Sequence, residues 1–209
     1  MKKFFCLATA LLLAALCLSV QPARAADSAE AMRAYGAVLL GKTEWYHIDD
    51  KKNLRLNQLK DENGEPLKAQ KFAVVDMDSD GTLEVVVEFH DSRSGVVVLH
   101  YEDGEVYGFN NSYTYYLAKD GTYNGLLPAW CSDTRKVTSI TKDAYKEAIL
   151  ARVEADPFKE NAETLYFVNE VQVTENQHRA FLEKLGETRE GNEAVWHDCT
   201  SENIASVCK

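Results

Sequence analysis

Little in these 209 residues presents itself as catalytic machinery. There is no His-Glu-x-x-His, no Gly-x-Ser-x-Gly and no phosphate-binding glycine loop, which removes the signatures of zinc peptidases, serine hydrolases and nucleotide-binding enzymes but leaves unsigned chemistry open. No proline- or serine-rich linker divides the chain, and no motif recurs at a fixed period, which argues against a multi-blade propeller or a solenoid. Basic residues are in deficit, 23 Lys and Arg against 33 Asp and Glu. Such a surface repels phosphate backbones and anionic lipid, so nucleic acid is not an expected partner.

Long apolar runs are also missing, with one exception at the start. Lys2 and Lys3 precede an apolar stretch over 4–18, and Ala23-Arg24-Ala25 is a small-x-small cleavage site. This pattern predicts an export signal over 1–25, and the run is too short, and too soon followed by Gln21, Pro22 and Arg24, to be a membrane span. Cys17 follows Leu16, a bulkier residue than lipoprotein processing prefers, which disfavours a lipid anchor. The expected location is the periplasm, the cell surface or the exterior. The mature chain would hold about 184 residues with 20 basic and 33 acidic side chains, enough for one domain with a sizeable core.

Cysteine is sparse after that cleavage: Cys131, Cys199 and Cys208. An odd number in an oxidising compartment permits one internal bridge at most and leaves a spare thiol. A helix running from Thr200 to Cys208 would hold Cys199 and Cys208 roughly 13 Å apart, so Cys131 with either of them is the preferred pairing. No His stands beside any of the three in a nucleophile signature.

Acidic residues, by contrast, are patterned. Residues 76–84 read Asp-Met-Asp-Ser-Asp-Gly-Thr-Leu-Glu, so Asp76, Asp78 and Asp80 occupy the first, third and fifth positions of a calcium loop, and Gly81 the sharp turn at the sixth. The Thr82 backbone carbonyl would be the seventh and the Glu84 carboxylate the ninth. Val87 stands at the twelfth position where an EF-hand has its closing glutamate, and the flanks are β-branched and aromatic rather than helical. The expectation is a strand-loop-strand site for Ca2+. A solvated acidic turn would use the same residue types.

Around this loop the periodicities predict an α+β fold. Met32, Tyr35, Val38 and Leu39 mark an N-terminal helix over 29–40. Strand candidates follow at 45–48, 54–56, 72–75, 83–89, 96–101, 105–109, 113–117 and 123–127, which predicts a central antiparallel β-meander. Tyr145, Ala148, Ile149 and Val153 suggest a helix over 142–155, stopped at Asp156-Pro157. A small hairpin over 166–173, a helix opened by a capping box at Thr174 and Gln177, and a last helix from Thr200 complete the chain. The expected organisation is therefore a single domain over 26–209, sheet-rich over 42–140 with a helix-rich lobe over 141–209.

Residues 72–78 and 84–87, with Val98-Leu99-His100-Tyr101, 104–108, 120–123, Val195-Trp196 and 200–204, resemble a family of exported bacterial proteins. Its members carry a single calcium-loop element like those of FG-GAP and VCBS repeats. The resemblance implies export and a metal loop but no reaction, and this chain departs from it at Leu83, where such loops often place proline.

Other functional residues are ambiguous in sequence. A five-residue connection over 91–95 would set His90 opposite Val96 and His100 opposite Val86, as half-exposed sheet residues that need not meet. Glu88 and Asp91 fit a hairpin end better than a hydrolytic carboxylate pair. Tyr107, Phe109, Tyr113, Tyr115, Tyr116 and Tyr123 would offer a stacking platform if exposed, though buried rings with solvated hydroxyls fit the same residues and are the favoured reading. The functional expectation is an exported, noncatalytic, calcium-stabilised binding module whose partner is an envelope glycan or protein. A secreted hydrolase and a structural part of an envelope assembly are the alternatives.

Overall fold

The computed structural model describes residues 21–209 apart from 62, 91–94, 112–113, 127–130, 156–162 and 187–190. Its centre is a seven-stranded sheet in the order β13-β3-β4-β5-β6-β1-β2. Those strands are β1 (Trp45–His47), β2 (Lys52–Leu54), β3 (Ala69–Val75), β4 (Glu84–Phe89), β5 (Val96–Glu102), β6 (Glu105–Asn111) and β13 (Trp196–Asp198). Its inner strands β4 and β5 carry runs of three valines because both faces are covered, and alternate residues serve different layers. Phe72, Val85, Val87, Phe89, Val97 and Leu99 face one hydrophobic cluster, while Ala73, Val75, Val86, Val96 and Val98 face a second.

The first cluster is roofed by helices. Helix α1 (Gln21–Leu39) contributes Ala31, Met32, Tyr35 and Val38, one apolar stripe at helical spacing, and α3 (Ser201–Val207) adds Ile204. The expected cleavage after Ala25 falls inside α1, ahead of Ala31, the first buried residue among the described side chains of that helix. Thr200 caps α3 by accepting from the Asn203 N–H, and Cys208, just past its end, packs against Gly36 of α1.

The second cluster lies against another sheet, six-stranded in the order β12-β11-β10-β9-β8-β7. It comprises β7 (Thr114–Leu117), β8 (Thr122–Leu126), β9 (Cys131–Ile140), β10 (Tyr145–Glu154), β11 (Leu165–Val168) and β12 (Val171–Val173). Leu117, Tyr123, Val137 and Ile140 of this sheet meet Val98, Tyr107 and Phe109 of the first, and Phe109 stacks on Tyr145 with ring centroids 3.6 Å apart. The result is three layers, helices on sheet on sheet.

The N-terminal helix, sheet core, small hairpin and two C-terminal helices stand as expected, and three features correct the expectation. The helix over 142–155 does not form: that segment is β10, paired antiparallel with β9 through a turn in which Thr141 N–H donates to the Ala144 carbonyl at 2.9 Å. Tyr145, Ile149 and Val153 satisfy a period of two as well as 3.6, and a β-branched partner strand with bulges at Lys146/Glu147 and Ile149/Ala151 decides between them. Among the described residues, 141–209 hold four strands beside two helices. The meander, secondly, is split between two sheets after β6, and it is not wholly antiparallel, since β1 pairs parallel to β6. Thirdly, Cys199 and Cys208 are both free thiols, so neither bridges Cys131, whose side chain lies outside the described residues. Asp156-Pro157 lies outside them too.

The smaller hairpin and its helix match their residue signals. Asn169 and Glu170 take φ of 48° and 65°, the left-handed pair that a two-residue hairpin turn requires. Thr174 accepts from Gln177 N–H while the Gln177 side chain accepts from Thr174 N–H, a reciprocal cap on α2 (Glu175–Lys184).

Candidate metal centre

Strand β3 ends at Val75 and β4 begins at Glu84, so the acidic loop is the turn joining two neighbouring inner strands. Its short polar side chains fold it locally. Asp78 Oδ1 accepts from the Asp80 N–H at 3.2 Å, Asp80 Oδ1 from the Thr82 N–H at 2.6 Å, and Asp76 Oδ2 from the Gly81 N–H at 3.2 Å. The backbone turns through left-handed conformations at Ser79 (φ 63°) and Gly81 (φ 89°), and the latter explains the glycine at the sixth position.

Below the loop lies Glu84, 0% exposed. Its Oε2 accepts from the Met77 N–H at 2.6 Å, and its Oε1 meets His100 Nδ1 at 2.8 Å. Asp76, Asp78 and Glu84 thereby bring one carboxylate oxygen each within 4.8 Å of the others. Asp76 Oδ1 is buried with no hydrogen-bond donor among the described residues. Three convergent carboxylates and an unsatisfied buried oxygen form a donor set that could hold a divalent cation, all oxygen and therefore suited to a hard one.

Electrostatics agree with that reading. Burial pushes the Glu84 carboxyl up to about 7, the hydrogen bonds from His100 and Met77 opposing without cancelling it. Burial, then the charge of Asp80, raises Asp78. For His100, burial acts downward, but the hydrogen bond and charge of Glu84 and the charges of Asp80 and Asp78 outweigh it, so the imidazole holds its proton above the ordinary range. Without added positive charge the carboxylates resist ionisation, and a cation supplies that charge.

The second sheet clasps the loop from outside. The Ile140 N–H donates to Asp78 Oδ2 at 3.2 Å, and Lys136 Nζ donates to Ser79 Oγ at 2.8 Å and to the Asp120 carbonyl at 3.0 Å. Gly121 sits so close that a Cβ there would come within 2.6 Å of the Asp76 carbonyl oxygen. Met77, 1% exposed, plugs into the core between the sheets. The site is thus built where the β3–β4 turn meets β8 and β9.

No family model matches the chain, and no curated protein and no solved structure matches it. What the site can do rests on its own chemistry.

Of the five residues that spacing nominated, Asp76, Asp78 and Glu84 converge. Asp80 is outside the close group, its Oδ1 engaged with Thr82 N–H. His100 is the residue the spacing missed. Val86 pairs with Val98, not with His100, because the β4–β5 connection is two residues longer than expected, and that register brings His100 beside Glu84. The only signal was an ionisable residue at the polar end of an otherwise apolar strand. His90 is exposed and separate from the site, Glu88 is half-buried, and Asp91 lies outside the described residues. The aromatic platform is not assembled from Tyr107, Phe109 and Tyr123, which are core residues at 2%, 0% and 1% exposure. Tyr113 and the Tyr115 side chain lie outside the described residues.

Proposed function

We propose that the loop binds one calcium ion whose role is structural, fastening the β3–β4 turn to the second sheet in an exported, noncatalytic binding module. The observation that carries this is the convergence of Asp76, Asp78 and Glu84 within 4.8 Å at a turn held by both sheets. Asp80 and the Thr82 carbonyl, at the fifth and seventh loop positions, would complete the shell. Calcium is favoured over magnesium because a loop of oxygen donors with adjustable side chains tolerates the six to eight ligands and irregular geometry that calcium accepts. Export rests on the charge and hydropathy pattern of 1–25, and no helix among the described residues is long and apolar enough to cross a membrane. The partner of the module would be an envelope glycan or protein, and the burial of Tyr107, Phe109 and Tyr123 bears equally on both. The resemblance to exported proteins with an FG-GAP/VCBS-like loop belongs to this same proposal.

The test is a calcium titration of chelator-treated mature chain, followed by thermal unfolding. A cation that binds only the native state raises the unfolding temperature, by about 2.7 kcal/mol of stability at a hundredfold excess over Kd. An unfolding temperature that stays fixed into the millimolar range, where exported modules of this kind bind calcium, would remove the proposal.

A further inference from the structure

Two asparagines in the chain precede a glycine, Asn63 and Asn124. That dipeptide carries its own chemistry, because a glycine without Cβ lets its peptide nitrogen approach the side-chain carbonyl carbon of the asparagine before it, which makes the amide labile. Whether the approach succeeds depends on what holds the backbone. The fold holds the two pairs differently.

Asn63 and Gly64 are exposed in a turn ahead of β3. The Asp61 N–H donates to the Glu65 carbonyl at 2.9 Å and the Gly64 N–H to the Asp61 carbonyl at 3.0 Å. Asp61 Oδ1 accepts from the N–H groups of Asn63 and Glu65 at 2.9 and 2.8 Å, and the Asn63 amide donates to Asp61 Oδ2 at 3.5 Å. Gly64 takes a φ of 84°, and nothing stands within 4 Å of where its Cβ would lie. One exposed hydrogen bond, from the Gly64 N–H to the Asp61 carbonyl, therefore has to open before that nitrogen can attack. Asn124-Gly125 is the opposite case. Both residues lie in β8, paired with Thr134 and Asp133 of β9, and Asn124 Oδ1 accepts from Thr134 Oγ1 at 3.3 Å. Gly125 is buried, and a Cβ there would collide with Asp133 Oδ1, so closing a ring onto its nitrogen requires the strand to leave the sheet.

We propose that Asn63 is a site of spontaneous deamidation in the folded protein, needing water and no enzyme or cofactor, and that Asn124 is not. With its proton passed to solvent hydroxide, the Gly64 nitrogen attacks Cγ of Asn63. The N–Cγ bond forms, the Cγ–Nδ2 bond breaks, and ammonia leaves with a proton taken from water. Water then opens the cyclic imide at either carbonyl, leaving an aspartate or an isoaspartate at position 63. Either product sets a carboxylate beside Asp61 Oδ2, where the amide had donated, so attraction becomes repulsion. The isoaspartate also lengthens the main chain of the turn by one carbon.

The experiment incubates the purified protein at mildly alkaline pH in heavy-oxygen water, folded and in urea, and follows the peptides that carry Asn63 and Asn124 by mass spectrometry. Oxygen taken up marks conversion during the incubation. In the folded protein Asn63 should convert within about threefold of its rate in urea, because an exposed turn opens at almost no cost. Asn124 should be slowed by at least about a hundredfold, because a strand paired on both sides opens rarely. Asn63→Gln, whose longer side chain disfavours the ring, should stop the conversion at that peptide and leave the unfolding temperature unchanged. An Asn63 that keeps its amide in the folded protein while losing it in urea, or that the fold protects as strongly as it protects Asn124, overturns the proposal.

Discussion

Replacing Glu84 by alanine and by glutamine separates its two roles, as a buried acceptor and as a charge. Alanine deletes the acceptor of the Met77 N–H and the partner of His100 Nδ1, bonds of 2.6 and 2.8 Å to a side chain that is 0% exposed. Removing one member of a buried pair costs about 3–5 kcal/mol, which for a domain of this size lowers the unfolding temperature by roughly 6–20 °C without any calcium present. Glutamine keeps an oxygen for Met77 and offers an amide N–H to neutral His100, so its calcium-free stability should fall within about 1 kcal/mol of the parent. Both variants should lose the calcium-induced rise. The assay is thermal unfolding with chelator and with calcium at pH 7. A glutamine variant that responds to calcium like the parent would refute Glu84 as a ligand, and an alanine variant within about 1 kcal/mol of the parent would refute the buried bonds of Glu84 to Met77 and His100 as what holds the loop.

The same pair sets the pH dependence. Glu84 is raised from its ordinary 4.5 to about 7, so the folded state binds its proton more tightly than the unfolded chain does. That contribution is fully present below about 4.5 and is lost as pH rises through about 7. His100, also raised, acts with the same sign. Calcium-free protein should therefore lose on the order of 2 kcal/mol between pH 5 and 7, the glutamine variant should be flatter, and calcium affinity should increase over that window because binding expels the shared proton.

Three further outcomes are expected. Gly121→Ala places a Cβ 2.6–2.7 Å from the backbone of Asp76 and Met77 at φ +77°, so it should destabilise by about 1–3 kcal/mol and weaken calcium binding, read in the same titration. Thr174→Ala removes the α2 cap and should cost about 1 kcal/mol, visible as faster amide exchange in residues 175–178 with the calcium response intact. Burial lowers His178, which packs against the Tyr166 ring at 5.4 Å. Its folded-state stability is thus present above the unfolded value near 6.5 and lost as pH falls below it, so α2 amide exchange should accelerate in acid, and His178→Phe should remove that trend.

What could be read from the residues depended on how local each determinant is. The α2 cap lies within four residues and the Asn169-Glu170 turn within two, and both form as their signals require. Strand β10 fails that criterion: its apolar positions fit two periods, and its partners select one, β9 paired from Ile140 back to Cys131 and β11 over Leu165–Val168. The division into two sheets is less local still, because Val85 and Val86 are alike as letters yet face helices and sheet respectively.

The metal centre divides along the same line. Asp76, Asp78 and Glu84 lie within nine residues, so their spacing alone nominated them, and a one-residue change of register within β4 would turn Glu84 out of the interior. His100, Gly121, Lys136 and Ile140 reach the loop through hydrogen bonds and a close approach spanning 16 to 62 residues of sequence. Those distant residues determine what a bound cation would hold together. Asp78 accepts from Ile140 in the second sheet while Glu84 is bonded to His100 in the first, so charge placed between the two carboxylates ties one sheet to the other. A loop with the same nine letters on a free hairpin would bind the ion and fasten nothing, whereas here withdrawal of the cation should loosen the contact between sheets before it unfolds either one.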